Sequence, residues 1–187
     1  MLHFSDFRFR VCLEMRYVFH MNIYLLRHGI AVEREEWSAK SDADRPLTVE
    51  GEQQLRTSCA AMRRMGLSFE LILSSPYERA KQTAVIVGEE LGLKKQLKFS
   101  EELRSEGDPA KCVRELAQWQ PEPKDVLLVG HEPYLSGLVS MLVTGKMKLA
   151  MDFKKGGLCR LKTGALEYDR CASLVWLLTP KQMALMR

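Results

Sequence analysis

A chain of 187 residues with 46% hydrophobic and 28% charged side chains has enough apolar material for one filled core, and two full domains would be cramped. Its formal charge of +4 suits an anionic substrate and falls short of the concentrated basic face that nucleic-acid binding requires. Five scattered cysteines, at 12, 59, 112, 159 and 171, with no Cys-x-x-Cys, argue against a structural zinc site and fit a reduced, cytoplasmic compartment; the longest uncharged run, 133–145, is too short to span a membrane.

Residues 1–20 mix aromatics and arginines with Asp6 and Glu14, and carry no apolar h-region of a signal peptide. The expectation is an N-terminal extension separate from a single domain over 21–187, with translation starting at Met21 or with a dispensable tail before it. From Asn22 the chain alternates strand-like and helix-like segments. A strand over Asn22–Leu26 runs into a long polar loop from Ala31 to Pro46. Thr48 caps a helix to about Met65, with Leu55, Cys59 and Met62 on one stripe and Gly66 as its stop. A short strand follows at Leu71–Leu73. Ser75-Pro76-Tyr77-Glu78 reads as a capping box with proline at the first helical position, opening a helix to about Leu91. Lys98–Phe99 is a minor strand, Pro109 opens a helix to Trp119, and Asp125–Val129 is a continuous apolar strand. Pro133 starts another helix ending near Gly145, and Leu158–Lys162 and Ser173–Leu178 close the chain as strands near enough to form a hairpin. Helices alternating with continuous apolar strands predict an α/β fold, a mainly parallel sheet covered on both faces.

Three strand-to-helix junctions carry the candidate chemistry: Arg27-His28-Gly29, Ser74-Ser75-Pro76-Tyr77-Glu78-Arg79, and Gly130-His131-Glu132-Pro133. In a parallel sheet such junctions share one edge, so their side chains converge in one crevice. Two of them open helices, whose first N–H groups and dipole favour an anion. Arg27 and Arg79 each offer a planar fork of donors for phosphate oxygens. His28 and His131, the only histidines beyond the first 20 residues, both fall at strand ends. Gly29 is expected to supply the sharp turn after the first strand. Other phosphate chemistries are absent: there is no Gly-x-x-x-x-Gly-Lys-Ser/Thr and no Cys-x5-Arg, and Asp42-Ala43-Asp44 sits in a polar loop where an aspartyl nucleophile would need a strand end.

Leu-Arg-His-Gly after the first strand, Ser-Ser-Pro-x-x-Arg-Ala-x-Gln-Thr-Ala at 74–84 and Gly-His-Glu-Pro at 130–133 resemble the histidine phosphatase (phosphoglycerate mutase-like) superfamily. Arg-His-Gly-x-Ala at 27–31, Asp44-Arg45-Pro46-Leu47-Thr48-x-x-Gly51 and the compact length are similar to its small SixA-type branch, the phosphohistidine phosphatases. The resemblance spans about Asn22 to Thr179. It implies a three-layer α/β/α sandwich without a large cap insertion, and a covalent mechanism in which His28 attacks phosphorus. Arg27, Arg79 and His131 would cradle the phosphoryl oxygens, with Arg45 a further substrate contact and neither metal nor other cofactor required. Physics is consistent with this: guanidiniums around His28 disfavour its imidazolium form and keep the attacking nitrogen free.

One departure concerns the proton donor. Larger family members place a glutamate shortly after a leucine, in the region of Glu102-Leu103-Arg104-Ser105, and here Ser105 falls at that place. Glu106 is the candidate donor, although Glu102, Glu106 and Asp108 also suit loop solvation and a helix N-cap before Pro109. An imidazole leaving group, with a reference pKa of about 6.5, needs an acid far less than an alkoxide does. That favours phosphohistidine on a protein, of the phosphorelay histidine-containing transfer type, over a small phosphomonoester. A non-catalytic phosphoprotein-binding module is the alternative of a different class.

Overall fold

The computed structural model describes residues 21–37 and 41–186; the expectation of a separate extension over 1–20 lies outside them. Six strands form one mixed sheet: β1 (Met21–Arg27), β2 (Leu71–Ser74), β3 (Leu97–Phe99), β4 (Asp125–Gly130), β5 (Leu158–Thr163) and β6 (Ala172–Leu178), in the order β3-β2-β4-β1-β5-β6. The first four in that order are parallel; β5 runs antiparallel to β1, and β6 forms the expected hairpin with β5. Helices cover both faces: α1 (Val49–Arg64), α2 (Glu78–Glu90), α3 (Pro109–Ala117), α4 (Tyr134–Thr144) and α5 (Pro180–Ala184).

Two cores follow from side chains alternating across each strand. In β1, Ile23 and Leu25 join Leu73, Leu128, Leu116, Leu135 and Leu138 on the α3/α4 face. Tyr24 and Leu26 join Ile72, Leu127, Leu55, Ala84 and Met183 on the α1/α2/α5 face. The central strands are buried on both faces, which is why they read as unbroken apolar runs. This is the three-layer sandwich the sequence predicts.

Two local expectations change, and one helix is new. The capping box at Ser75 does not form: α2 begins at Glu78 with Tyr77 as N-cap and no side-chain cap. The Ser75 hydroxyl instead accepts from the Tyr77 N–H at 3.3 Å and meets His131 Nε2 at 2.8 Å, because the strand end turns it toward the neighbouring junction. The helix from Pro109 stops at Ala117, two residues short of Trp119. And α5 escaped the sequence reading although its signal is present, since Thr179 and Gln182 form a capping box around Pro180.

Gly29 is needed for space and not for a left-handed turn. A Cβ there would lie 2.8 Å from Leu55 Cδ1, while the glycines with positive φ are at 66, 92, 145 and 156. Gly51 has the same role more severely: a Cβ would lie 2.1 Å from the Ile30 carbonyl oxygen. That carbonyl accepts from the Thr48 N–H at 2.9 Å, and Thr48 Oγ1 caps α1 by accepting from Gly51 N–H at 3.0 Å. The start of α1 is thereby clamped against the loop leaving β1.

Candidate active site

The register of the parallel strands brings the three junctions level. Arg27 pairs with Gly130, the His28 N–H donates to the Gly130 carbonyl at 3.0 Å, and the Ser75 N–H donates to Val129 at 2.9 Å. His28 and His131 thus leave adjacent strands side by side, with ring centroids 5.1 Å apart. Arg79, the second residue of α2, reaches back so that its Nε–H donates to His28 Nε2 at 3.3 Å. On the other side of the His28 ring, Nδ1 lies 2.8 Å from the Gly29 carbonyl oxygen. A carbonyl only accepts, so Nδ1 carries the proton and Nε2 presents its lone pair.

These groups are buried, with His28 at 6%, Arg79 at 4% and His131 at 1% of full exposure. Burial, helped by His131, Arg79 and Arg27, holds the His28 pKa well below the ordinary imidazole value. The backbone hydrogen bond to Gly29 opposes this without reversing it. For His131, burial and then Arg79 lower the pKa to about 3. Both rings are therefore neutral at pH 7. His131 Nδ1 and Arg27 Nε are buried without a partner among the described residues, polar groups of the kind a bound ligand satisfies.

Arg27 lies one residue before His28, and its Nη1 donates to the Phe153 carbonyl at 2.7 Å. Loop residues 152–157 hold the strand end as well, since the Gly156 N–H donates to the carbonyls of Arg27 and His28 at 3.1 and 3.0 Å. Arg45 packs against the loop that carries Asp42. Its Nε–H donates to Asp42 Oδ1 at 3.1 Å and its Nη1 to the Val32 carbonyl at 2.9 Å, so it reaches His28 through Asp42 and Arg79.

Asp42 is the residue sequence reasoning passed over. From the polar loop it accepts Arg79 Nη2 on its carboxylate at 3.0 Å and Arg79 Nη1 on its carbonyl at 2.7 Å. Burial alone would raise its pKa, but Arg79 and Arg45 outweigh burial and keep it below the usual carboxylate range. The signal was its spacing, three residues before Arg45, which on a tight turn puts the two side chains together. Ser75 is the second missed residue, since it was read only as a cap.

Glu106 lies at the rim. Its side chain is 56% exposed; it accepts a hydrogen bond from the Tyr77 hydroxyl and stands 3.7 Å from Arg104 Nε. The Tyr77 hydrogen bond, with Arg104 and His131 helping, lowers its pKa below the ordinary glutamate value. The Tyr77 ring is 5.2 Å from the His131 ring and 5.4 Å from the Arg79 guanidinium carbon, so Glu106 connects to the buried group through an aromatic side chain. Ser105 lines a separate cavity next to Pro133 and Tyr134. Asp108 caps α3, accepting from Ala110 and Lys111 N–H at 2.8 and 3.3 Å, and Glu102 accepts from the Asp108 N–H at 3.1 Å. Among the described residues no three His, Cys, Asp or Glu side chains gather as a metal-ligand set, and no helix is long and apolar enough to cross a membrane.

Residues 23–106 match the histidine phosphatase superfamily (branch 1). A protein of Picosynechococcus sp. is 35% identical over 147 residues, covering 78% of this chain and 87% of that relative. The phosphohistidine phosphatase SixA of Escherichia coli is 32% identical over 127 residues, covering 67% of this chain and 76% of SixA. Among solved structures, the protein histidine phosphatase SixA complexed with tungstate superposes with a TM-score of 0.74 at 27% identity, covering 86% of this chain and 98% of that one. The chain belongs to the histidine phosphatase superfamily, and with it to the hydrolases that act as phosphatases. Within the superfamily its relatives make it a SixA-like member of the phosphohistidine phosphatase family.

Proposed function

We propose that this protein hydrolyses phosphohistidine on a partner protein, of the phosphorelay histidine-containing transfer type, through a covalent phosphohistidine on His28 Nε2. The observation that carries the proposal is the state of that nitrogen: neutral, with its proton held on Nδ1 by Gly29, and facing Arg79 Nε at 3.3 Å. His28 Nε2 gives up the hydrogen bond from Arg79 Nε–H and attacks phosphorus as the bond from phosphorus to the substrate imidazole breaks, and that imidazole leaves with a proton taken from solvent. A water then attacks the phosphorylated His28, releasing inorganic phosphate and restoring the free imidazole.

Arg79 has five N–H donors, and three are engaged by His28 and Asp42, so two remain for phosphoryl oxygens. Asp42 and Arg45 serve as positioning residues that aim this fork, while Arg27 lends its unpartnered Nε–H to the same group. The 2.8 Å contact between Ser75 Oγ and His131 Nε2 suits either direction of hydrogen bond; in the tautomer in which Ser75 donates, His131 Nδ1–H is a donor for the transferring group. Glu106, ionised and exposed, is not set up as a strong acid at neutral pH; the low basicity of an imidazole leaving group makes that tolerable. An alkoxide leaving group would gain more from an acid, which disfavours the small phosphomonoesters and supports the phosphohistidine reading.

The test is turnover of a phosphorylated histidine-containing transfer domain beside sugar phosphates, with acid-labile label trapped on His28 in rapid-quench samples. Preference for the phosphoprotein and label on wild type, lost in His28→Ala, is the expected result. A sugar phosphate hydrolysed faster would move the reading to a small-molecule phosphomonoesterase, and label absent from His28 would remove the covalent step.

A further inference from the structure

Sharing Arg27 with the histidine site is a cavity of about 470 Å³ whose wall carries Arg27, Lys154, Lys155 and Lys181. Three carboxylates answer four cations: Asp152 stands 2.6 Å from Lys154 Nζ, Glu33 stands 3.3 Å from Lys155 Nζ, and Glu132 acts on Arg27 together with Asp152. Among the described residues Lys181 makes no ion pair. The wall is also the loop that fixes the reactive strand end, through Arg27 Nη1 on the Phe153 carbonyl and the Gly156 N–H on the Arg27 and His28 carbonyls.

We propose that this cavity is a second anion subsite, which takes a carboxylate side chain of the protein substrate near its phosphohistidine. It rests on the phosphoprotein reading above. The excess of cations over carboxylates selects an anion, and Arg27 joins the cavity to the phosphoryl site, so one ligand can occupy both only if its two anionic groups are linked. Three of the four cations are lysines, point charges on flexible stems that suit a carboxylate arriving in varied geometries; a phosphate would be better gripped by an arginine fork. The volume exceeds what a single small anion fills, leaving room for the side chain that carries it.

Two synthetic phosphohistidine peptides, identical but for Glu or Gln flanking the phosphohistidine, decide the matter, assayed with wild type and a Lys155→Ala/Lys181→Ala variant. Wild type should favour the acidic peptide roughly tenfold in kcat/KM at low salt, through KM and with kcat unchanged. The variant should retain about twofold or less, with undiminished turnover of phosphoramidate, whose size leaves the cavity empty. Equal turnover of both peptides by wild type, or an undiminished preference in the variant, overturns the subsite alone. Phosphoramidate turnover with neither peptide cleaved overturns the phosphoprotein reading and the subsite with it.

Discussion

The floor of the site and its rim are built from similar residue types in opposite circumstances. On the floor, His28, His131, Arg79 and Ser75 are buried and hydrogen-bonded in two pairs, His28 with Arg79 and His131 with Ser75, and backbone bonds tie His28 and Ser75 to the end of β4. On the rim, Arg104 and Glu106 are 40% and 56% exposed and pair across a surface loop. Burial of the floor pushes both imidazoles to the neutral form, whereas on the rim a hydrogen bond from Tyr77 keeps a carboxylate charged. A preorganised, water-poor floor makes each charge count for more, and a solvated rim screens what its charges do. The floor is accordingly suited to the phosphoryl transfer and the rim to meeting the substrate.

Substitutions can break that contrast, beginning with the largest effect. His28→Ala should reduce turnover by at least about 10⁴-fold with the thermal midpoint little changed; a residual rate near wild type would remove the nucleophile from the floor. Arg79→Ala should lower kcat by about 10²- to 10³-fold, since a fixed donor to the transferring charge is lost. A loss expressed only in KM would place Arg79 with the substrate-meeting groups instead.

The buried imidazoles also set an acid limit on stability. His131 has a folded pKa of about 3 against 6.5 for an ordinary histidine. Between those values the unfolded chain binds a proton that the folded chain does not, so stability falls as pH drops from about 6.5 toward 3, and it is fully present above 6.5. His131→Asn should flatten this decline by up to about 1.4 kcal/mol per pH unit, read from urea unfolding at pH 7 and pH 5. An unchanged slope would mean the ring is protonated in the folded protein. Smallest is the rim: Glu106→Gln should change kcat on a phosphohistidine protein by less than about threefold. A hundredfold loss there would make Glu106 a catalytic acid and erase the distinction between the two regions.

The alternation of apolar strands with capped helices made the sandwich legible from sequence, because burial on both faces leaves the interiors of β1 and β4 free of charged residues. The three junctions were legible for the same reason: reactive residues stand out where an apolar run stops. Thr48 and Asp108 were readable as caps because a cap is a local bond over two or three residues. Ser75 was not, since its hydroxyl had a local use in a capping box and a non-local one at His131, and only the pairing of β2 with β4 decided between them.

What the sequence determined by itself was therefore everything with a local cause: strand and helix periods, most of the helix ends, and His28, His131, Arg27 and Arg79 at strand-to-helix junctions. What only the tertiary structure decided was who meets whom. Asp42 grips Arg79 across 37 positions and Phe153 receives Arg27 across 126. The proton of His28 is fixed by a neighbouring carbonyl, but its pKa is lowered mainly by burial and then by groups from other elements. Such contacts depend on chain closure over long separations, which no window of neighbouring residues encodes.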